Sequence, residues 1–340
     1  MLEFRDFPEQ PGDRQIREDY LDAMEPLFFP KTPHVPDIVQ YVCALLRAGG
    51  MEDADWDPFE ESKGVIFDLF RLMKINFTEE NFEKPDLTTW RLGLLFYSQI
   101  IESSAPYDVL VNLLRYRLDR GFSMAPFNEF LSKSELKQSK KSGIFPHQKI
   151  RTLMNLGDDA GLPFRAMFDG FYRRDLRNAI AHGDFIFHES GIRVRGVNYS
   201  GSFEVSFEEL DLIINRSKIF FHIFYSLLEQ ARGVFGGLAE QFWGYDPHYK
   251  GIFEFLASSE GMLEGFKVHR PNGSDSYYRR SKAGNECVNC LPKSEPPGLE
   301  LFVGLYARTR DAFSPLVEQG SKPIYTVIEK TGDLPFWRYG

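Results

Sequence analysis

Residues 163–183 read PFRAMFDGFYRRDLRNAIAHG. Apolar side chains recur at spacings of four and three from Phe168 to Ala179, which is typical of one face of an α-helix. Pro163 is placed to begin such a helix, and Gly183 is a residue type that commonly ends one. The segment therefore predicts a single amphipathic helix over 163–183.

Polar residues of this helix form a second face. Arg174, Asn178 and His182 follow at i, i+4 and i+8, and His182 lies at the C-terminus of the helix. Arg177 precedes His182 by five positions, so the two directions differ by about 140° on an ideal helix. One helix alone is a poor bifunctional site, whereas two copies packed around a two-fold axis would bring both residue types to a shared cleft.

An arginine and a histidine are suited to RNA strand scission. The reaction needs a base for the 2′-hydroxyl proton, a donor to the leaving 5′-oxygen and positive charge on the pentacoordinate phosphate. His182 can supply either proton transfer, and Arg177 can clamp the phosphate with two hydrogen bonds. This chemistry requires no metal and no cofactor.

The flanking sequence predicts a mainly α fold. Alternating apolar residues over 185–195 indicate a small β-hairpin, and Ser206 followed by Glu209 is a capping signature for a long helix over about 207–232. Upstream, three amphipathic patterns lie between 59 and 120, and two shorter helices are expected near 14–26 and 37–48.

We expect three consecutive regions. Residues 1–58 form an N-terminal helical extension, 59–245 a helical bundle with the hairpin inserted, and 246–340 a small C-terminal module. Beyond 246 the composition shifts towards Gly, Ser, Pro and short apolar runs, which is typical of an α/β or β-rich module of unknown role.

The run from Leu176 to Gly183, late in a helix and followed by a hairpin and a long helix, resembles the Arg-x4–6-His signature of the HEPN superfamily. The resemblance implies a helical bundle, usually dimeric, with a composite ribonuclease site. By that match Arg177 and His182 are the catalytic pair, and Asn178 is the polar residue that orients the site. One subgroup has Tyr two places after the His, where this chain has Asp184.

Two functions follow from the resemblance. The first is a metal-independent endoribonuclease of the bacterial toxin or antiphage type, with an antitoxin or activating partner as a possible regulator. The second is a noncatalytic HEPN module that binds nucleotide, RNA or protein. RNA contacts are expected at Arg173, Arg174, Lys140 and Lys141, although the two arginines could instead pair with Asp169 and Asp175 on a solvated face.

Composition limits the functional classes and the cellular location that the chain can have. A net charge of −9 argues against a protein that coats nucleic acid along its whole surface, so binding would depend on local basic clusters such as 133–151. No apolar stretch reaches the length of a membrane span, and three cysteines suit a reducing compartment, so we expect a cytoplasmic protein. Cys287 and Cys290 have zinc-knuckle spacing, but no second such pair exists and we predict no metal site; His269 or a second subunit could still complete one.

Overall fold

The computed structural model describes residues 12–30, 38–48, 57–195, 201–239, 242–246, 251–269, 275–281, 284–288, 292–295, 298–302 and 336–338. Its helices are α1 (Asp13–Phe28), α2 (Ile38–Leu46), α3 (Pro58–Met73), α4 (Pro85–Glu102), α5 (Ser104–Arg117), α6 (Lys133–Ser142), α7 (Pro146–Asp159), α8 (Phe164–Asp169), α9 (Arg174–His182) and α10 (Phe207–Gly236). The fold is mainly helical, and the five predicted helices upstream of residue 120 are confirmed as α1 to α5.

The strands are all in the second half of the described chain. They are β1 (Phe185–His188), β2 (Gly191–Arg195), β3 (Ser202–Ser206), β4 (Phe242–Asp246), β5 (Gly251–Ala257), β6 (Leu263–His269), β7 (Ser276–Ser281), β8 (Gly284–Val288), β9 (Pro292–Glu295), β10 (Gly298–Phe302) and β11 (Phe336–Arg338). They form antiparallel sheets in the orders β1-β2-β3, β4-β5-β6-β7-β8 and β11-β10-β9.

The chain forms two compact units. The first comprises the described residues within Met1–Ala23, Pro58–Tyr107 and Phe145–Tyr225, and the second those within Met24–Asp57, Asp108–Ile144 and Ser226–Gly340. The three consecutive regions expected from the sequence stay a prediction, because these units describe packing and not independent folding.

Aromatic rings build the core of the first unit. Phe168, Phe171 and Phe220 are fully buried, and their ring centroids lie 5.7, 5.6 and 5.4 Å apart in pairs. Burial of each such side chain contributes about 1.5–3 kcal/mol relative to exposure. The three rings therefore anchor α8 and the residues after it against α10.

The predicted hairpin is present as β1 and β2, and a third strand extends it. In β2 the buried Ile192 and Val194 alternate with exposed arginines, as the sequence pattern predicts. The sequence analysis missed β3, which has a single buried residue, Val205, and gains its backbone partners from β2. Gly191 permits this pairing because a Cβ there would lie 2.1 Å from the carbonyl oxygen of Val205.

In the second unit every residue of α2 is buried, and the Tyr41 hydroxyl in this helix donates to the carbonyl of Phe28. Phe253 and Phe266 stack at 5.7 Å on one face of the five-stranded sheet, and Phe266 stacks on Tyr278 at 6.0 Å. All secondary-structure elements described after 246 are strands, which favours the β-rich alternative for this region.

No described helix combines the length and the apolar character that a membrane crossing would require.

Candidate functional site

Residues 163–183 form two helices, so the prediction of one helix over this segment is wrong. Helix α8 ends at Asp169 and α9 begins at Arg174. Part of the intervening backbone is bonded by one residue of α4: the Tyr97 hydroxyl donates to the Phe171 carbonyl at 3.2 Å and accepts from the Arg173 amide at 3.1 Å. These two bonds replace backbone hydrogen bonds that are lost where the helix is interrupted. They join residues far apart in the sequence, so the periodicity of 163–183 does not predict them.

Burial raises the pKa of Tyr97 well above its usual value, so the hydroxyl stays neutral and both donates and accepts. A second tyrosine, Tyr172, lies half-buried in the break itself. Burial raises its pKa to about 12, although Arg174 and Arg177 lower it. Two neutral phenols therefore flank the start of α9.

Arg177 lies in the middle of α9 and is held by two neighbours. Its Nε and Nη2 atoms face Oε1 of Glu102, the last residue of α4, in a close ion pair. Its Nη1 atom donates to Oδ1 of Asn178 at 2.9 Å. The Arg177 side chain is 18% exposed, so the guanidinium is largely covered yet reaches solvent.

The sequence analysis missed Glu102. A carboxylate at a helix C-terminus lies at the negative end of the helix dipole, which is unfavourable by about 0.3–1 kcal/mol unless a cation offsets it. The unfavourable position of this charge is the one feature of the sequence that indicates a basic partner for Glu102. The identity of the partner depends on the packing of α4 against α9.

Two of the five N–H donors of the Arg177 guanidinium are not used by Glu102 or Asn178. The group carries five N–H donors, and Glu102 occupies the side formed by Nε and Nη2. One N–H of Nη1 and one of Nη2 remain after Asn178 has taken its bond. Both nitrogens can therefore donate to phosphate oxygens without displacing Glu102.

His182 is the last residue of α9 and is exposed. The helix ends there because Gly183 adopts a left-handed conformation, with φ 69° and ψ 23°, and the Asp184 amide donates to the Ala179 carbonyl at 2.9 Å. Since α9 is continuous, His182 lies about 7.5 Å further along the axis than Arg177 and about 140° around it. Within one chain the two residues therefore diverge, as the sequence predicts.

The predicted substrate residues fall into two groups. Arg173 and Arg174 are exposed at the start of α9, and Arg173 Nη1 donates to the Asp169 carbonyl at 2.6 Å, at the C-terminus of α8. Lys140 and Lys141 are exposed near the end of α6, in the second unit. The roles of both groups stay predictions.

A metal site at the Cys pair receives no support from the residues that could complete it. Cys290 lies outside the described residues, and Cys287 is part of β8. Both ring nitrogens of His269 are engaged, Nε2 by Glu254 and Nδ1 by Asp275 at 3.1 Å. Within the described part of the chain, no group of three or more His, Cys, Asp or Glu side chains is placed to hold a metal ion.

Comparisons with models of protein families, with curated proteins and with solved structures gave no match. The assignment of a function therefore depends on the residues and geometry of the chain itself.

Proposed function

We propose that the chain is a HEPN-type, metal-independent endoribonuclease that acts as a homodimer. The observation that carries the proposal is the arrangement of Arg177, which is fixed by Glu102 and Asn178 with two N–H donors left for a phosphate. A charge held in advance at the place where charge develops stabilises a transition state without reorganisation. This is the requirement for the group that neutralises the pentacoordinate phosphate.

His182 is the proposed proton-transfer group. It takes the proton from the 2′-hydroxyl, whose oxygen attacks the phosphorus while the 5′-oxygen leaves, or it protonates that leaving oxygen. Its position at the exposed end of α9 makes it accessible to RNA. Because it diverges from Arg177 on one helix, the proposal includes a second copy of the chain that brings both residue types to one cleft.

RNA contacts in this proposal include Arg173 and Arg174, at the start of α9, and Lys140 and Lys141. The protein acts in the cytoplasm, in the setting of a bacterial toxin or antiphage effector. An antitoxin or activating partner is the proposed means of control. The setting and the means of control follow from the resemblance to HEPN proteins, whereas the RNA contacts and the location follow from basic residues and from composition.

Cleavage of labelled RNA in the presence of EDTA tests the proposal. We expect the wild type to cleave, and Arg177→Ala and His182→Ala to lose activity. Arg165→Ala is the matched control, because Arg165 also forms an ion pair with a carboxylate, Asp158, but lies in α8 at 49% exposure. Loss of activity in all three variants would point to general destabilisation and would contradict the assigned roles.

The ion pair with Glu102 also suits the noncatalytic alternative, in which Arg177 stabilises the packing of α9 on α4. In that case purified wild type would leave varied RNAs intact, with and without activators, while it still bound nucleotide, RNA or a protein partner. Arg177→Ala would then lower the free energy of unfolding without a catalytic effect.

A further inference from the structure

The lysines of α6 lie on one face of the helix. Lys133, Lys137, Lys140 and Lys141 are all exposed, and at 100° per residue their directions fall within an arc of about 100°. We call this set the α6 lysine face. It runs about 12 Å along the helix axis, at 1.5 Å per residue.

The charge of the α6 lysine face is not neutralised within the described part of the chain. None of its four members forms an ion pair or hydrogen bond there. The one acid of the helix, Glu135, lies on the opposite side and is engaged at the N-terminus, where its carboxylate accepts from the Ser132 amide at 2.9 Å and its own amide donates to the Ser132 hydroxyl at 3.3 Å. The face therefore presents an uncompensated positive charge to solvent.

Helix stability does not account for the pattern. Lys140 and Lys141 suit the last turn, but Lys133 at the first helical position opposes the dipole. The i, i+4 pairs of Lys133 with Lys137 and of Lys137 with Lys141 repel, at about 0.2–0.5 kcal/mol each. The helix persists because Ser132 and Glu135 cap its beginning and Gly143, at φ 73°, ends it. A charge pattern that costs stability points to a ligand.

We propose that the α6 lysine face binds the sugar-phosphate backbone of RNA. Lysine ammonium groups act as mobile point charges, so they bind phosphates and carry no base recognition. The net charge of −9 makes most of the protein unfavourable for a polyanion, which confines such binding to a local basic surface. The choice of RNA as the polyanion depends on the proposed ribonuclease activity, but the binding itself does not require Arg177 or His182.

The test is the salt dependence of RNA binding by the full chain carrying both Arg177→Ala and His182→Ala, which separates binding from cleavage. Fluorescence anisotropy with labelled single-stranded RNA gives the affinity over a range of KCl concentrations. Each phosphate contact contributes about 0.7 to the slope of log affinity against log salt for single strands. Replacing the four lysines by Gln should flatten the slope by up to about 3 and weaken binding, whereas replacing all four by Arg should preserve both.

A further variant, with the same net charge as the α6 Gln variant, controls for the effect of net charge on binding. It carries Gln at four exposed cations outside α6, namely Arg14, Arg71, Lys84 and Arg193. We expect its salt slope to match the parent. An equal loss in this control, an unchanged slope in the α6 Gln variant, or binding to anionic vesicles but not to RNA would each overturn the inference.

Failure of the two proposals is distinguishable. If the wild type does not cleave RNA but binds it through the α6 lysine face, the ribonuclease proposal fails and this inference stands. If the wild type cleaves RNA and the α6 Gln variant binds it with an unchanged salt slope, this inference fails together with the RNA contacts proposed for Lys140 and Lys141, and cleavage by Arg177 and His182 stands.

Discussion

Tyr97→Phe should destabilise the first unit by more than the loss of a single hydrogen bond would. The Tyr97 hydroxyl bonds two backbone groups in the interruption between α8 and α9. The substitution removes the bond to the Phe171 carbonyl and the bond from the Arg173 amide, at 3.2 and 3.1 Å. Tyr97 is fully buried, so water does not replace the lost oxygen at its site.

The expected magnitude follows from the two groups left without a partner. A buried unsatisfied carbonyl costs about 1–3 kcal/mol, and the amide of the more exposed Arg173 adds about 1 kcal/mol. The free energy of unfolding should therefore fall by about 2–4 kcal/mol. Tyr107→Phe is the matched control, because Tyr107 is equally buried but makes one bond, to the buried Ile101 carbonyl at 3.1 Å, so it should cost about 1–3 kcal/mol and Tyr97→Phe about 1 kcal/mol more.

Urea unfolding followed by circular dichroism measures both variants. A loss in Tyr97→Phe that is no larger than the loss in Tyr107→Phe would refute the role of the Tyr97 hydroxyl in holding the break. A changed denaturant slope would mean that the variant alters the unfolded ensemble, so the comparison requires equal slopes.

Three further outcomes are expected. Glu102→Ala should lower the rate of RNA cleavage by about tenfold or more, because Arg177 loses its fixed orientation. Glu102→Gln should retain more activity, since an acceptor oxygen remains. Equal cleavage rates in the two variants would contradict the orienting role of Glu102. Gly183→Ala should destabilise the chain by about 1 kcal/mol through its positive φ, whereas Gly64→Ala, inside α3 with open space around it, should stabilise by about 0.5–1 kcal/mol; urea unfolding compares the two. Burial and, to a lesser extent, two neighbouring cations lower the pKa of His222 from 6.5 to about 4. Between these values the unfolded chain binds more protons than the folded chain, so the free energy of unfolding should fall as the pH drops from 6.5 to about 4. The fall should be smaller in His222→Asn.

Much of the fold follows from local patterns. The periodicity of α3, α4, α5 and α10 and the alternation in β1 and β2 are properties of single segments, and each predicted element is present. The break before α9 and the strand β3 were missed, because both depend on partners distant in the chain. Tyr97 lies 74 residues before Phe171, and no periodicity within 163–183 reports that hydrogen bond.

The candidate site likewise has a part that the local sequence predicts and a part that depends on contacts between distant residues. Arg177, Asn178 and His182 share one continuous helix, so their spacing alone places them, and the contact of Arg177 with Asn178 is a neighbour contact. Glu102 is 75 residues away from Arg177 and joins it only through the packing of α4 on α9. The roles of these residues in catalysis stay predictions.

The most direct measurement is the initial rate of RNA cleavage in EDTA from pH 5 to pH 9, for the wild type and for His182→Ala. Because His182 is the proposed proton-transfer group, the wild-type rate should depend on pH over this range, and the variant should be slower by about 10²–10⁴-fold. A wild-type enzyme that cleaves only when Mg²⁺ is restored, or a His182→Ala variant with the wild-type rate and pH profile, would contradict metal-independent cleavage by Arg177 and His182.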